Sequence, residues 1–480
     1  MHKQLSQSGT QVGEHAIVIG ASISGLLMAR VLSSYFTHVT ILERDQFPSG
    51  SEPRKGVPQG KHVHVLLKKG ANILESLFPG LFASLVQDGS TVIDSGQDVH
   101  WFHVGYWKLQ NKNGIELYCQ SRPLLEWHVR KALASFPNVQ FIDNCDVRGI
   151  CTSEQQTLVT GVRLCKREAG AEEESLKADL VIDASGRGSQ TPNWLSALSY
   201  PQVEEEAVRI DLGYASRIVK RTKVHPNGGK SIIVYPIVPV TKGAGYLFPV
   251  ENDQWIITLA GWLKHHPPAD EAGFLRYAQE LLQPDIYEEI KDAEPVTPIA
   301  IHKYPANHRQ HYEQMKHFPK KLLITGDAFC SFNPVYGQGM TVAALEAEAL
   351  DTYFRRHSNV DIHALGFARS IHKMFFKLTI VPWLLATSED LRYGETEGKR
   401  MFGLGIMHWY IGRLFALSAV DPFIYKCFYE LLTMVKSPTI AAHPRVLWSV
   451  LFKKIPANVI PANALSSLQP VEEKAPVKAR

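Results

Sequence analysis

Apolar residues first run together at Ala16-Ile17-Val18-Ile19, break at a glycine turn, Gly20 to Gly25, and resume with helical spacing over 26–35. A second unbroken run, Val39-Thr40-Ile41-Leu42, follows at once. Short unbroken apolar runs read as strands buried on both faces, so this opening predicts strand, turn, helix, strand. A helix is predicted over 123–133 with Ser121 as its cap. Further strands are predicted at 139–142, 158–164 and 178–184, the last running into the turn Gly186-Arg187-Gly188. Between 208 and 262 the pattern changes to β-rich runs such as Ser231-Ile232-Ile233-Val234-Tyr235 and Gln254-Trp255-Ile256-Ile257-Thr258-Leu259, predicting a separate antiparallel sheet. Leu322-Leu323-Ile324-Thr325 returns to the buried-strand pattern, and from Thr341 onward the spacing is mostly helical. No internal repeat interrupts this order.

Composition adds bounds. With 480 residues, 45% of them hydrophobic and 20% charged, the chain suits a composite architecture with a large core and room for an internal cavity. A formal net charge of +4 is too small on this length to argue for nucleic acid as a partner. Six cysteines lie scattered with no CxxC pair, which points to buried thiols in a reducing compartment. The first fifteen or so residues are polar and lack the apolar core of a signal peptide, so a cytoplasmic location is expected. The most apolar stretch, 401–420, is interrupted by His408 and Arg413. It reads as a buried or cavity-lining helix, with peripheral membrane contact through the C-terminal helices as the other reading.

The chemistry begins at Gly20-Ala21-Ser22-Ile23-Ser24-Gly25. In a dinucleotide site the first glycine makes the tight turn, the middle position lets a phosphate approach the helix N-terminus, and the last permits helix–strand packing. Ser22 holds the middle place; it is small, and its hydroxyl can donate to a phosphate oxygen. Glu43 closes the second strand 18 residues after Gly25, where a carboxylate accepts from ribose hydroxyls and repels a 2′-phosphate. About 300 residues later, Gly326-Asp327 follows a buried strand, and Asn333-Pro334-Val335-Tyr336-Gly337-Gln338-Gly339 leads into a helix beginning near Met340. A helix N-terminus there suits an anionic ligand.

These motifs resemble the FAD fingerprints of the aromatic-hydroxylase flavoproteins. Asp183-Ala184-Ser185-Gly186-Arg187-Gly188 is similar to the third fingerprint of that superfamily, with Ser185 where hydroxylases carry aspartate. Taken with 53–64, which includes Arg54, Gln59, His62 and His64, and with 332–337, it resembles the polyether-type polyene epoxidases and related bacterial FAD-dependent oxidoreductases. The resemblance implies an α/β fold: a Rossmann-type, hydroxylase-like FAD-binding domain interleaved with an antiparallel β-sheet substrate domain, then a helical C-terminal region. The expected boundaries are 1–200 and 301–355 for FAD, 201–300 for the substrate sheet and 356–480 for the helices. It implies FAD contacts at Gly20, Ser22, Ile23, Ser24, Gly25, Glu43 and Arg44 in the first half. Arg54, Gln59, Arg122, Val147, Ser185 and Gly186 come next, then Gly326, Asp327, Pro334, Gly337, Gln338, Gly339 and Met340.

The resemblance further implies an oxygenase acting on a small apolar organic substrate, with O2 as co-substrate and a flavin C4a-hydroperoxide as the oxygen donor. Epoxidation by that route needs no protein base, and no catalytic acid or base is named. Electrons come from NAD(P)H directly or through a partner flavin reductase, and Ser185 in place of aspartate tilts the expectation toward the reductase. Tyr235, Tyr246 and Phe248 are the candidate substrate contacts. His62 and His64 lack a third ligand at matching spacing, so no metal is expected. Three alternatives remain. A halogenase lacks its double tryptophan at 244–249; a prenyl reductase finds a partial match in Tyr246-Leu247-Phe248-Pro249; a flavin-binding protein without turnover fits the glycine turn poorly.

Overall fold

The computed structural model describes residues 11–221, 231–357, 360–455 and 457. A five-stranded parallel sheet runs in the order Leu322–Ile324, Leu180–Asp183, Gly13–Ile19, Phe36–Leu42, Val139–Ile142. Its central strand is solvent-free at Ala16, Ile17 and Val18, because helices cover both faces; hence the unbroken apolar run. The helix Ile23–Leu32 leaves that strand and packs on the long helix Gly339–Arg356. Tyr35, just beyond it, donates to Asp351 on the long helix at 2.8 Å. The helix Arg122–Ala134 starts with Ser121 accepting from the Leu124 amide at 3.2 Å, the expected cap.

The β-rich stretch forms the strands Glu205–Lys220, Ser231–Val234, Gly243–Val250 and Gln254–Gly261 of an eight-stranded sheet. The sequence pattern did not reveal that this sheet also takes in Val99–His103, Tyr106–Trp107, Ala300–Gln310 and Cys330–Ser331. Nor is it wholly antiparallel, since Val99–His103 pairs parallel with Ser231–Val234. Alternation along that recruited strand puts Phe102 into the outer core, and Trp101 and His103 toward the protein's interior cavity. A three-stranded antiparallel sheet, Cys145–Thr152, Val159–Lys166 and Glu173–Lys177, flanks the parallel sheet. The chain then becomes helical, with Phe367–Asp390, Leu404–Leu417, Pro422–Leu432 and Pro444–Phe452 closing over the large sheet. No helix among the described residues is long and apolar enough to cross a membrane, and all six cysteines are unpaired.

Four parallel strands deliver the glycine and acidic motifs to one edge. Ile19 leads to Gly20, Leu42 to Glu43, Asp183 to Ala184 and Ile324 to Thr325, all at carboxyl ends, where parallel sheets bind ligands. Asp183 anchors this edge from within. Its fully buried carboxylate accepts from the Ser185 amide at 2.9 Å and from the Ser185, Ser189 and Thr191 hydroxyls, each at 2.5 Å. The Ser185 hydroxyl, expected at the cofactor, is therefore turned inward to Asp183. Replacing Asp183 with alanine strands three hydroxyls and an amide, and should lower unfolding stability by about 3 kcal/mol. Urea denaturation measures it; a change below about 1 kcal/mol would show that the cage is dispensable.

Candidate FAD and substrate site

The first glycine turn is shaped by backbone contact. Gly20 has φ +98°, and a Cβ there would stand 2.6 Å from the Ala184 carbonyl oxygen. A Cβ on Gly25 would meet the Gly20 oxygen at 1.8 Å. Both places exclude every side chain. Ser22 is the N-cap of Ile23–Leu32, yet its hydroxyl makes no cap bond; it accepts from Arg122 Nη2 at 2.9 Å. The first turn of that helix carries no acidic residue, so its amides are free for an anion. Ser24 approaches Thr325 at 3.3 Å, and a Cβ on Gly326 would lie 2.7 Å from the Ser24 hydroxyl. The two glycine motifs thus touch through their smallest residues.

A buried charge cluster lies alongside. Glu43 accepts from the Ala21 amide at 2.8 Å and the Asp45 amide at 3.0 Å, and stands 3.1 Å from Arg54. Three of a carboxylate's roughly four acceptor positions are thereby used, leaving about one for a ribose hydroxyl. Arg54 also pairs with Glu126 at 2.5 Å; burial opposes its charge, but Glu126 and Glu43 outweigh burial and raise its pKa. Arg122 shares Glu126 at 2.9 Å, and its Nη1 is buried without a hydrogen-bond partner among the described residues. Burial lowers its pKa. A desolvated guanidinium nitrogen next to free helix amides suits a pyrophosphate.

At the other end, Asp327 is solvent-accessible, yet protein packs closely around it. Enclosure by protein raises its carboxyl, against the pull of Arg187 and Arg122. Arg187, which the sequence did not single out, stacks over Tyr304 at 4.6 Å. Thr325 and the Gly326 amide both donate to buried Glu346, at 2.6 and 2.8 Å; burial pushes that carboxyl up to about 7. The long helix begins at Gly339 with no acidic residue in its first turn, and Gly337 takes φ +64° before it. The Gln338 side-chain Oε1 is buried and unpaired among the described residues. A helix N-terminus with an unused side-chain acceptor fits a flavin ring, whose reduced form is anionic and whose N3 is a donor. Arg44 and Val147 stand further out. The Arg44 side chain is exposed, while Val147 sits at a β-bulge of the three-stranded sheet.

The family described as "FAD binding domain" matches residues 14–355. The chain belongs to this FAD-binding, aromatic-hydroxylase-like family. It is an FAD-dependent oxidoreductase. It is 32% identical over 394 residues to Protein Rv3254 of Mycobacterium tuberculosis (strain ATCC 25618 / H37Rv), covering 79% of this chain and 81% of that one. Squalene epoxidase erg1 of Schizosaccharomyces pombe (strain 972 / ATCC 24843) is 22% identical over 373 residues, 75% of this chain and 72% of that one. The fold is similar to that of the flavin-dependent brominase Bmp2, with TM-score 0.62, 14% identity, and 88% and 93% of the two chains covered.

In this family member a cavity of about 240 Å³ opens from the Gly337-Gln338 loop. Tyr235, Tyr246 and Phe248 line it, as does Trp262, whereas Trp255 packs in the outer core. Gln59, in the short turn Pro58–Lys61, also faces this cavity. His62 and His64 line it from irregular backbone; burial lowers them to about 3 and about 4, so both are neutral. No cluster of three potential metal ligands occurs among the described residues. The far wall brings in Trp101 and His103 from the recruited strand and Leu385, Glu389, Arg392 and Phe428 from the C-terminal region, none of them foreseen, together with Ile411 and Phe415 from the stretch 401–420 that the sequence read as a buried or cavity-lining helix. The run Val99 to Trp107 carries six aromatic or histidine side chains, a signal that was available.

One buried carboxylate ties the walls together. Asp390 accepts from Trp262 Nε1 at 3.0 Å, Asn307 Nδ2 at 2.8 Å, Asn333 Nδ2 at 3.0 Å and the Tyr336 hydroxyl at 3.1 Å. Burial raises it to about 6, with those four donors pulling the other way.

Two outcomes are expected. Gly20→Ala should release FAD, because the new Cβ overlaps Ala184 and needs a left-handed backbone. Flavin absorbance per protein after gel filtration measures this, and full retention would contradict the close packing. The folded protein holds the Asp390 proton longer than the unfolded chain, so this group makes stability fall as pH rises from about 4 to about 6. Asp390→Asn should flatten that part of the curve in denaturation series across the window; an unchanged slope would place the titration elsewhere.

Proposed function

We propose that the chain is a monooxygenase that places one oxygen atom of O2 on an apolar alkene or aromatic compound, giving an epoxide or a hydroxylated product. The observation that carries this reading is the cavity, apolar and aromatic along most of its wall and continuous with the loop at Gly337-Gln338. In this reading Gly20, Ser22, Ile23, Ser24, Gly25, Arg54 and Arg122 hold the pyrophosphate. Glu43, Arg44 and Val147 hold the adenosine. Gly186, Gly326 and Asp327 meet the ribityl chain, and Pro334, Gly337, Gln338, Gly339 and Met340 meet the ring, with Gln59 beside it. Tyr235, Tyr246 and Phe248 orient the substrate.

Bound FAD supplies the electron pair and the activation of O2. The chain's part is to position the substrate, exclude water and keep the long helix's amides aimed at the ring. One oxygen atom enters the product and the other leaves as water, with electrons drawn from NAD(P)H or from a separate flavin reductase. The alkene epoxidation named for the fission-yeast relative supports the reading.

The test is to photoreduce the FAD-loaded protein and mix it with isotopically heavy O2 and candidate polyenes or arenes. Product mass decides. One heavy oxygen atom per product is expected. A product gaining only hydrogen would overturn the proposal in favour of a reductase, and one gaining halogen only when halide is present would favour a halogenase.

A further inference from the structure

The helix Leu404–Leu417 has two faces with different surroundings. Ile411, Gly412 and Phe415 line the cavity, and Leu414 to Leu417 are buried. The opposite face carries Ile406, 73% exposed, and Trp409, 48% exposed, in line with Phe402 just before the helix, which is fully exposed. The helix Pro444–Phe452 packs against it and repeats the arrangement. Val446 and Val450 point inward, while Leu447, Trp448, Leu451 and Phe452 are exposed, Phe452 at 71%. Arg413 joins the two stripes. Its guanidinium lies 5.6 Å over the Trp409 ring and donates to the Val450 carbonyl at 2.5 Å and the Lys453 carbonyl at 2.6 Å. The rings of Trp448 and Phe452 are 6.3 Å apart.

Soluble surfaces expose apolar residues singly; a stripe continuous across two helices marks a contact. Its border is cationic. Lys399 precedes Phe402 and Lys454 follows the second helix, both exposed, while Arg400 is held by the Leu391, Tyr393, Gly394 and Thr396 carbonyls and Arg445 by Asp421 at 4.0 Å. The nearby carboxylates are engaged: Glu395 by Lys242 at 3.0 Å, Glu397 by Arg209 at 3.5 Å and Asp421 by Lys453 at 2.5 Å.

We infer that this face docks on an anionic lipid surface, with the Phe402, Trp409 and Phe452 side chains entering the boundary between headgroups and acyl chains. An in-plane helix with bulky apolar residues on one side and cations at its edge is the physical form of such a contact. A second copy of the chain is the poorer occupant. A twofold pairing of this patch would set its cation border against the same cations. The inference stands apart from the proposed oxygen insertion, since lipid binding is read without turnover.

The test is co-sedimentation of the full-length, FAD-loaded protein with vesicles of phosphatidylcholine alone or phosphatidylcholine doped with phosphatidylserine. Binding to the doped vesicles, weakened by salt, is expected. The paired change Trp409→Ser and Phe452→Ser should weaken it by about tenfold or more. Lys399→Gln and Lys454→Gln should each weaken it by about fivefold, with FAD content and melting temperature unchanged. Protein that stays in the supernatant with both vesicle types at low salt overturns the inference. So does a concentration-dependent dimer that the same apolar changes dissociate while lipid binding is absent.

Discussion

The site depends on a contact between backbones that no side chain can enter. Gly20 lies against the Ala184 carbonyl and Gly25 against the Gly20 carbonyl. This is steric exclusion, with none of the give that a flexible side chain allows. It brings the amino end of Ile23–Leu32 up to the carboxyl edge of the parallel sheet. Through Ser24 and Gly326 the same closeness extends to the strand ending at Ile324, about 300 residues on. The amino-terminal end of Ile23–Leu32 and the Gly326-Asp327 turn are brought together by that chain of small residues.

Charge is distributed around this frame with a definite asymmetry. Arg54 is surrounded by Glu43, Asp45 and Glu126, whereas Arg122 pairs with Glu126 alone, and each keeps a buried Nη1 without a hydrogen bond among the described residues. A desolvated cation left incomplete is costly unless a ligand completes it. The neighbouring helix amides are uncapped in the same direction. Arg54 therefore holds the turn together, while Arg122 has fewer carboxylates around it.

The cavity follows a different logic. Its walls come from the recruited strand Val99–His103, the large sheet and helices near the carboxyl end, elements far apart in the chain. Asp390 holds them in register by accepting from the sheet through Trp262 and Asn307 and from the loop before the long helix through Asn333 and Tyr336. Four donors around one fully buried carboxylate set the distance between loop and sheet.

The parallel sheet, its glycine turns and the cofactor class were legible in the sequence because each depends on local pattern. Ala16 to Ile19 reads as a strand buried on both faces wherever it sits, and a glycine at position 20 announces a turn that needs one. The β-rich character of 208–262 was legible for the same reason. Tertiary structure alone decided that Val99–His103 joins that sheet, that Ser185 turns to Asp183, and that Asp390 becomes a hub. It also decided that helix Leu404–Leu417 puts one face to the cavity and another to solvent. Each of these is a choice of partner, and partners distant in sequence leave no periodic trace. A strand's alternation says which residues share a face; only packing says what that face meets.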